Sequence, residues 1–505
     1  MPPGEGVSPS TIRNAGQDAD ALAMSPDTRR FVRTRGAKVA AVAAIAAVIF
    51  LCGCTVGPKY QKPKVQVPEA FHGPAESEQL QGSSFADLPW WKVFQDPQLQ
   101  ELIRTALKNN YNVQLAAERI STARAQLGMA RSDQFPHVSA NPDFSGGKNN
   151  ETIKYNIFTL AADVTFQLDF FGRYRRATEA ARAQLVGSEE AQKTVILTLV
   201  SDVASDYFLL RDLDLELQIT QETVRNQENS VKLTKMRLQH GVATKLDVVQ
   251  ARQVLDTANA QIPDLERQIG QTEDAINILL GNYPQSVPRG KVLGTETAEG
   301  WVWSESLPPQ LPAGLPSALL ERRPDIRQSE QNLIAANADI GVAKAMFFPQ
   351  VSLLGSGGGA WGHTEFFGQD VPAHLGVDSY EASLAQPLFE GGALRSNLRY
   401  AKSQYRQALI GYKQTIQQAF GDVSDALIGY QKTHQVRERQ EESVKDLEES
   451  VSLALMRYRG GTATYLDVLD SQRSLFSSEL TLAQARNSEY QSLVQLYKAL
   501  GGGWQ

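Results

Sequence analysis

The amino-acid sequence repeats itself within one chain, and this duplication constrains the fold more than any other feature. Residues 107–139 match residues 320–352 at an offset of 213, and residues 202–281 match residues 422–501 at an offset of 220. The pattern predicts two duplicate repeats, 100–284 and 313–505, with a few extra residues in the second between Ser352 and Phe389. Because insertions are tolerated in surface loops, we expect the extra residues at an exposed tip.

Apolar residues recur every seven positions in both repeats. One series runs from Ile196 to Leu238, and its counterpart runs from Ile416 to Tyr458 with Arg437 as the single interruption. This spacing is typical of a coiled-coil seam. No proline occurs between 172 and 240, so the pattern predicts a helix on the order of 100 Å long at about 1.5 Å per residue. The heptads alone would also fit a purely structural rod.

Alternating residues between the helices indicate membrane strands rather than a rod. From Phe158 to Phe170 the even positions are apolar and most odd positions are polar, as in a strand with lipid on one face and water on the other. A strand of a β-sandwich alternates in a similar way. We predict two strands in each repeat, at Val138–Ser145, Tyr155–Phe170, Val351–Ala360 and Tyr380–Phe389, with Pro387 at the rim of a barrel.

Four strands cannot close a membrane barrel, because the smallest barrels have about eight strands and an open edge is not tolerated in lipid. The barrel must therefore be shared between chains. Three chains would supply twelve strands above a ring of long helices. The predicted fold is a mainly α protomer with four membrane β-strands that forms a tube as a homotrimer.

Composition excludes several classes of function. Fifty Lys and Arg against 56 Asp and Glu give a net charge of −6, which disfavours nucleic-acid binding. The two cysteines both lie in one N-terminal stretch, and the six histidines show no metal-binding spacing. No nucleophile, acid pair or phosphate loop has a credible context, so we predict neither an enzyme nor a bound metal or cofactor.

The N-terminus has the pattern of a secretory signal. Basic residues precede an apolar run, Val39–Leu51, that is too short to span a bilayer, and small residues follow it. We therefore predict a signal peptide over 1–53, with Met24 as a candidate true start; a membrane anchor is the alternative. The stretch LCGC that ends at Cys54 resembles a bacterial lipoprotein box, which implies a covalent lipid on Cys54. The residue after it is Thr55 rather than Asp, which in such signals implies sorting to the outer membrane.

From Cys54 onward the chain resembles the TolC-like outer-membrane factors, specifically the lipoprotein branch that serves multidrug efflux pumps. The motifs that carry the resemblance are CTVGPKYQKP at 54, WWKVFQDPQL at 90, LLERRPDIRQSEQNL at 319, AKAMFFPQVSL at 343, QPLFEGG at 386 and RYRGGTATYLDVLDSQRS at 457. The resemblance implies a trimeric channel, with a 12-stranded barrel in the outer-membrane lipid and a helical tunnel in the periplasm. It also implies a periplasmic membrane-fusion adaptor and an inner-membrane pump of the RND type as partners.

The same resemblance divides the chain into segments. Residues 54–99 would form a lipidated N-terminal and equatorial segment, and residues 285–312 would form a Pro-rich equatorial linker between the two repeats. The prolines of this region, Pro308, Pro309, Pro312 and Pro316, independently argue against helix there.

Family likeness places the turns at Gly241 and Gly461 at the periplasmic end, where the tunnel closes. The implied gate residues are Asp467 and Asp470 as a constriction, and Asp247 and Tyr458 as a latch. Where the family latch often has a basic residue this chain has Ala463, so we consider Arg457, Arg459 or Lys245 as its replacement.

A structural alternative exists for two of these carboxylates. Thr244 with Asp247 and Thr464 with Asp467 have the T-x-x-D spacing of a helix capping box. Asp470 lies beyond the capping positions and has Gln250 as its counterpart in the first repeat, so the sequence favours Asp470 as a gate residue. We also expect ERRPDI at 321–326 to be structural, because Pro324 suits the first turn of a helix.

The leading prediction of function is a passive exit duct for drugs or other small toxic compounds. The same duct could instead serve secreted polypeptides or metal ions, although few methionines and scattered histidines give the metal version little support. A protein of another class, a lipid-anchored coiled-coil scaffold with no pore, is the remaining alternative.

Overall fold

The computed structural model describes residues 55–68, 71–72, 87–94, 96–149, 153–290, 294–297, 300–303, 318–366 and 369–502. The predicted signal peptide, Cys54 and the four prolines of the linker lie outside these residues. The helices are α1 (Trp90–Val93), α2 (Pro97–Asn109), α3 (Tyr111–Ser132), α4 (Arg173–Gln239), α5 (Lys245–Leu279), α6 (Leu319–Arg322), α7 (Pro324–Ala345), α8 (Ala393–Arg459) and α9 (Tyr465–Ala499). The strands are β1 (His137–Asn149), β2 (Ile153–Leu168), β3 (Gly294–Thr297), β4 (Gly300–Trp303), β5 (Gln350–Phe366) and β6 (Gln369–Ala385).

The duplication in the sequence is also present in the structure. The order α3, β1, β2, α4, α5 of the first repeat returns as α7, β5, β6, α8, α9 in the second. Helices α4 and α8 have 67 residues each, so both are about 100 Å long, and α5 and α9 have 35 residues each. The predicted order of helix, two strands, long helix, turn and helix is therefore confirmed.

The four long strands form one antiparallel sheet in the order β1-β2-β5-β6, which leaves β1 and β6 as its edges. All four predicted strands are present. Three are somewhat displaced or longer, and the predicted bounds of the fourth were wrong. Strand β6 begins 11 residues before Tyr380 and ends before Pro387. Its first part contains Pro372 and Gly376, which weaken the sequence signal, and its pairing with β5 keeps it extended.

The extra residues of the second repeat occupy two places rather than one. The offset between repeats is 213 where β1 and β5 begin, 217 where β2 and β6 end, and 220 where α4 and α8 begin. Four extra residues therefore lengthen the hairpin β5–β6, and three lengthen its connection to α8. The predicted exposed tip explains only the first group.

The helices form a layer below the sheet with α4 near its middle. Helices α3 and α5 pack on one side of α4, α7 and α9 pack on the other side, and α8 packs against α7 and α9. The outermost helices are therefore α3 and α5 on one side and α8 on the other. Helix α3 adjoins β1 and helix α8 adjoins β6 in the chain, so the sheet and the helical layer share these two edges.

The heptad seams lie at the centre of the helical layer. Val203 and Leu210 of α4, and Val423 and Tyr430 of α8, are buried in one continuous apolar core. Arg437, which interrupts the seam in the sequence, is buried as well and forms ion pairs with Glu441 and Glu489. A charged residue can occupy this position because carboxylates face it.

The ERRPDI segment has the structural role that its sequence indicates. Pro324 is the first residue of α7, and Arg323 before it donates a hydrogen bond of 3.0 Å to the carbonyl of Ala499 at the end of α9. The first repeat makes the equivalent contact with an amide, because Asn110 donates to the carbonyl of Leu279 at 2.9 Å. Both contacts satisfy a carbonyl that the end of a helix leaves unpaired.

Candidate functional site

Both helical hairpins end in the same tight turn at the end of the molecule opposite the sheet. Gly241 and Gly461 have φ angles of 75° and 74°, in the left-handed region that favours glycine. The amide of Val242 donates to the carbonyl of Arg237, and the amide of Thr462 donates to the carbonyl of Arg457, both at 2.9 Å. These bonds close the ends of α4 and α8, so the two turns are rigid, short connections.

Asp247 and Asp467 both cap the helix that follows the turn. The carboxylate of Asp247 accepts a bond of 2.7 Å from the amide of Thr244, and that of Asp467 accepts one of 2.8 Å from the amide of Thr464. Hydrogen bonds from the Thr464 side chain and amide, with a smaller effect of Arg457, lower the pKa of Asp467. The capping boxes predicted from T-x-x-D are therefore present, and a gate role for these two carboxylates stays a prediction.

Asp470 takes no part in the capping box. Its side chain is 63% exposed and accepts a hydrogen bond of 2.8 Å from Arg473, one turn further along α9. An exposed ion pair at this spacing contributes little to stability, so it does not fix the carboxylate in a structural role. Asp470 remains the carboxylate that distinguishes the second turn from the first.

Tyr458 belongs to an aromatic contact that joins the ends of three helices. The guanidinium carbon of Arg237 in α4 lies 4.6 Å from the centre of the Tyr458 ring in α8. The Tyr458 ring in turn lies 5.3 Å from the ring of Tyr465, the first residue of α9. We call Arg237, Tyr458 and Tyr465 the tip clasp. Burial raises the pKa of Tyr458, which keeps its hydroxyl neutral.

The tip clasp contains a basic residue that the sequence did not single out, because the cation over the Tyr458 ring is Arg237. That Arg457, Arg459 or Lys245 replaces the basic latch residue of the family stays a prediction. Arg237 and Arg457 occupy equivalent positions in the two repeats, whereas the partner positions differ, with Leu238 in place of Tyr458 and Lys245 in place of Tyr465.

The clasp rests on a small core that is separate from the main one. Its buried residues are Val231, Ala251, Tyr465, Val468 and Leu469. They come from α4, α5 and α9, and residues near the end of α8 pack against them. All four helices of the tip therefore meet in one cluster, and a movement of one pair relative to the other must break contacts in it.

The sheet at the opposite end has two chemically different faces. In β2 the even positions from 154 to 164, such as Phe158 and Leu160, are exposed, and the odd positions from 155 to 165 are half-buried. The even face carries an aromatic row across the sheet, in which Phe144 is paired with Phe158 and the Phe158 ring stacks on Trp361. Exposed apolar and aromatic side chains on one face of a sheet are suited to lipid.

The other face of the sheet is polar. The amide of Asn141 contacts the carboxylate of Asp163 across β1 and β2, and the hydroxyls of Ser352 and Ser383 are 2.7 Å apart across β5 and β6. Strands of 13 to 17 residues are long enough to cross a bilayer at the usual tilt. The sheet therefore has the pattern of a barrel wall with lipid outside and water inside.

The first described residues lie where the strands meet the helices. The amide of Val56 donates to the carbonyl of Phe171 at 3.1 Å, and Thr55 packs against Gly172, at the junction of β2 and α4. From there the segment follows α7, where the Tyr60 hydroxyl bonds to Glu330. Thr55, the first described residue, therefore lies at this junction.

The described ranges contain no group of three or more His, Cys, Asp or Glu residues that could hold a metal ion. Within the same ranges, no helix is sufficiently long and apolar to traverse a membrane.

Comparison with known proteins identifies relatives over almost the whole chain. The profile of the family described as outer membrane efflux protein matches residues 102–282 and 315–502. The cation efflux system protein CusC of Escherichia coli O6:H1 is 34% identical over 457 residues, covering 90% of this chain and 97% of the relative. The solvent efflux pump outer membrane protein SrpC of Pseudomonas putida is 36% identical over 478 residues, covering 91% of this chain and 97% of SrpC. A crystal structure of CusC superposes with a TM-score of 0.77 at 32% identity, covering 89% of this chain and 100% of that one.

Proposed function

This chain belongs to the outer membrane efflux protein family, and we propose that three copies of it form one channel through the outer membrane and the periplasm. The chain is an outer-membrane efflux channel, in agreement with the function predicted from its sequence. The family is one of transport channels, so the protein acts as a duct. The number of copies, the gate, the lipid, the cargo and the partners form the proposal.

The observation that supports a trimer is the pair of open edges. Strands β1 and β6 have no partner on their outer sides among the described strands, and an unpaired edge is not tolerated in lipid. Pairing of β6 with β1 of a neighbouring copy closes a ring of four strands per copy, and three copies give twelve strands. A head-to-tail contact of this kind closes when the rotation between copies completes a circle.

The outermost helices support the same arrangement. On one side of the layer Tyr111, Met129 and Ile278 are exposed, and on the other side Tyr400, Ile410 and Met456 are exposed. Large apolar side chains exposed along both sides of a protomer indicate contact surfaces. The helices of neighbouring copies would cover them and complete a tunnel below the barrel.

We further propose that the duct carries small toxic compounds, that Cys54 bears a lipid, and that an adaptor and an RND-type pump drive export. Support for the cargo comes from SrpC, named for solvent efflux; the name of CusC makes metal cations the second candidate. The lipid is supported by the position of Thr55 at the junction of strands and helices, close to the membrane surface. Fatty-acid labelling that persists in Cys54→Ser would contradict the lipid assignment.

The channel itself is tested with the purified full-length protein. We expect a trimer in outer-membrane extracts that resists heating in detergent, and discrete conductance steps after reconstitution into planar bilayers. A monomer without conductance, also after opening substitutions at the tip, would instead favour a lipid-anchored scaffold. Accumulation of a solvent or of a metal ion in a deletion strain separates the two cargo candidates.

Replacing Asp470 with alanine is expected to reduce the preference of the channel for cations without loss of the trimer. Three copies of this carboxylate around one axis would favour cations and disfavour anions. The measurement is the reversal potential under a salt gradient, with Gln250→Ala at the equivalent position of the first repeat as the matched control. If Asp470→Ala prevents assembly, the residue is structural.

A further inference from the structure

Helix α9 lies between two long helices, and its contacts with them differ in chemistry. Toward α8 it forms a network of ion pairs. Arg437 of α8 contacts Glu489 of α9 at 2.8 Å, and Arg486 of α9 contacts Glu441 of α8. Arginine stays charged at every relevant pH, so this network holds α8 and α9 together over the whole physiological range.

Toward α4 the contact of α9 is built from carboxyl and amide groups. Asp212 and Glu216 of α4 lie one helical turn apart and are only 3% and 7% exposed. On α9, the amide of Asn487 faces Asp212 and the amide of Gln484 faces Glu216. The Oδ1 atom of Asp212 is buried and has no hydrogen-bond partner among the described residues. A side-chain amide accepts a hydrogen bond from a neutral carboxyl group and donates one to an ionised carboxylate, so it does not fix the charge of that group.

The rest of this contact contains little charge. Gln491 donates to the carbonyl of Ser205 at 2.8 Å, and the amides of Gln227 and Gln472 are 3.1 Å apart. The rings of Phe208 and Tyr490 stack with their centres 4.7 Å apart. The ion pair found across this contact in the described structure joins Lys498 to Asp202 at its upper end, at 3.7 Å.

The charged groups around Asp212 are paired in other directions. On α4, Arg211 bonds to Asp96 and Asp214 bonds to Arg289, so neither faces the buried pair.

Charged groups on α9 and α5 are likewise paired with other partners. Arg486 and Glu489 of α9 face α8, where they form the ion pairs already described. The Arg289 that holds Asp214 also binds Glu273 of α5. The charge that acts on Asp212 is therefore the like charge of Glu216.

Burial raises the pKa of Asp212 to about 8, with a smaller contribution from Glu216, and burial also raises the pKa of Glu216. Higher on the same helix, burial and then Asp202 raise the pKa of Asp206 to about 6. Near neutral pH, Asp212 therefore holds a proton that an ordinary aspartate would have lost.

We propose that the α4–α9 contact is a proton-sensitive seam, and that ionisation of the buried Asp212–Glu216 pair separates α8 and α9 together from α4 and favours opening of the tip. Two ionised carboxylates one turn apart in a buried contact repel each other and require water. The arginine–glutamate pairs between α8 and α9 keep their charges in this pH range, so those helices move as a unit. His434 of α8 also contacts Glu489 of α9 and is the titratable cation of this contact. The tip clasp also connects α4 to the α8–α9 pair, because Arg237 is on α4 whereas Tyr458 and Tyr465 are on α8 and α9.

The sign of the pH effect follows from the raised pKa. The folded protein binds more protons than the unfolded chain between the ordinary aspartate value and about pH 8, so stability falls as pH rises through that window. Replacement of Asp212 by asparagine removes the titrating group and should make the unfolding temperature less dependent on pH. Glu228→Gln, an exposed carboxylate on the same helix, is the matched control and should keep the wild-type profile.

The direct test is the open probability of single channels between pH 6 and pH 9, with the pH varied on the periplasmic side. This test rests on the proposed channel function. Between the ordinary aspartate value and about pH 8, the release of one proton per protomer raises the open-to-closed ratio of that protomer by up to about tenfold per pH unit, and the ratio levels off above about pH 8. We expect the rise in the wild type and in Glu228→Gln, and a flat profile in Asp212→Asn.

A wild-type open probability that does not change with pH, or an Asp212→Asn profile equal to the wild type, would overturn the seam. If the Asp212→Asn variant inserts poorly into the bilayer, the pH dependence of its unfolding temperature still tests the seam, because that measurement needs no conductance. Absence of conductance at every pH would contradict the proposed channel, whereas conductance without pH dependence would contradict the seam alone.

Discussion

Replacement of Arg323 by alanine is expected to destabilise the protein by about 3 kcal/mol. The Arg323 guanidinium is buried where α7 begins, and it contacts Asp325 at 2.7 Å and Asp422 of α8 at 3.0 Å. It also donates to the carbonyl of Ala499, so one side chain joins three helices. Its removal leaves two carboxylates and a helix-end carbonyl without their donor. This loss of stability lies at the lower end of the range for removing one partner of a buried ion pair. The reason is that the carboxylates of Asp325 and Asp422 are 32% and 34% exposed.

The measurement is thermal unfolding of the purified protein in detergent, followed by the helical circular dichroism signal at fixed protein concentration. The fixed concentration matters because the stability of an oligomer depends on it. Arg439→Ala removes an exposed arginine that pairs with Glu442 on the surface of α8, and it should unfold close to the wild type. Equal unfolding temperatures of Arg323→Ala and Arg439→Ala would show that the three-helix contact contributes little.

Replacement of Arg237 by alanine is expected to give channels that open far more often than the wild type. A cation over an aromatic ring contributes about 1 kcal/mol at a partly exposed site. Three clasps in a trimer would contribute about 3 kcal/mol to the closed state, which corresponds to on the order of 100-fold in the ratio of closed to open channels. The measurement is single-channel current in planar bilayers at neutral pH.

Substitutions of Tyr458 provide the matched controls. Tyr458→Phe keeps the ring beneath Arg237 and should behave as the wild type, whereas Tyr458→Leu introduces the residue of the first repeat and should behave as Arg237→Ala. If Tyr458→Phe opens the channel as much as Tyr458→Leu, the hydroxyl rather than the ring holds the tip. If Arg237→Ala has wild-type currents, the clasp does not hold the closed state.

Much of the fold could be predicted because its signals are local and periodic. Heptads from Ile196 to Leu238 gave the long helix, and alternation from Phe158 gave the best-defined strand. The start of strand β6 could not be predicted, because Pro372 and Gly376 weaken its local pattern and its conformation depends on pairing with β5. Burial of Arg437 also depends on residues distant in the chain, since Glu489 lies 52 positions further on.

The candidate site also combines local features that the sequence predicted with long-range contacts that it did not predict. The T-x-x-D spacing correctly predicted the capping boxes of Asp247 and Asp467, because a cap involves residues only three apart. The position of Arg237 over Tyr458 could not be read from the sequence, since 221 residues separate them and several other basic residues lie closer. The sequence also identified Asp470 as the charge that duplication leaves unexplained, and its role in a gate stays a prediction.

By itself, the sequence determined the duplication, the long helices, the presence of membrane strands and the position of the two turns, because each follows from periodicity or spacing within one segment. Only the tertiary structure decided which long-range pairs meet: Arg237 with Tyr458, Arg323 with Ala499, and the buried Asp212 with Asn487 rather than with a cation. Burial and like charge act through space, so the protonation of Asp212 depends on the helices packed around it. The proposed proton-sensitive seam is therefore a property of that packing.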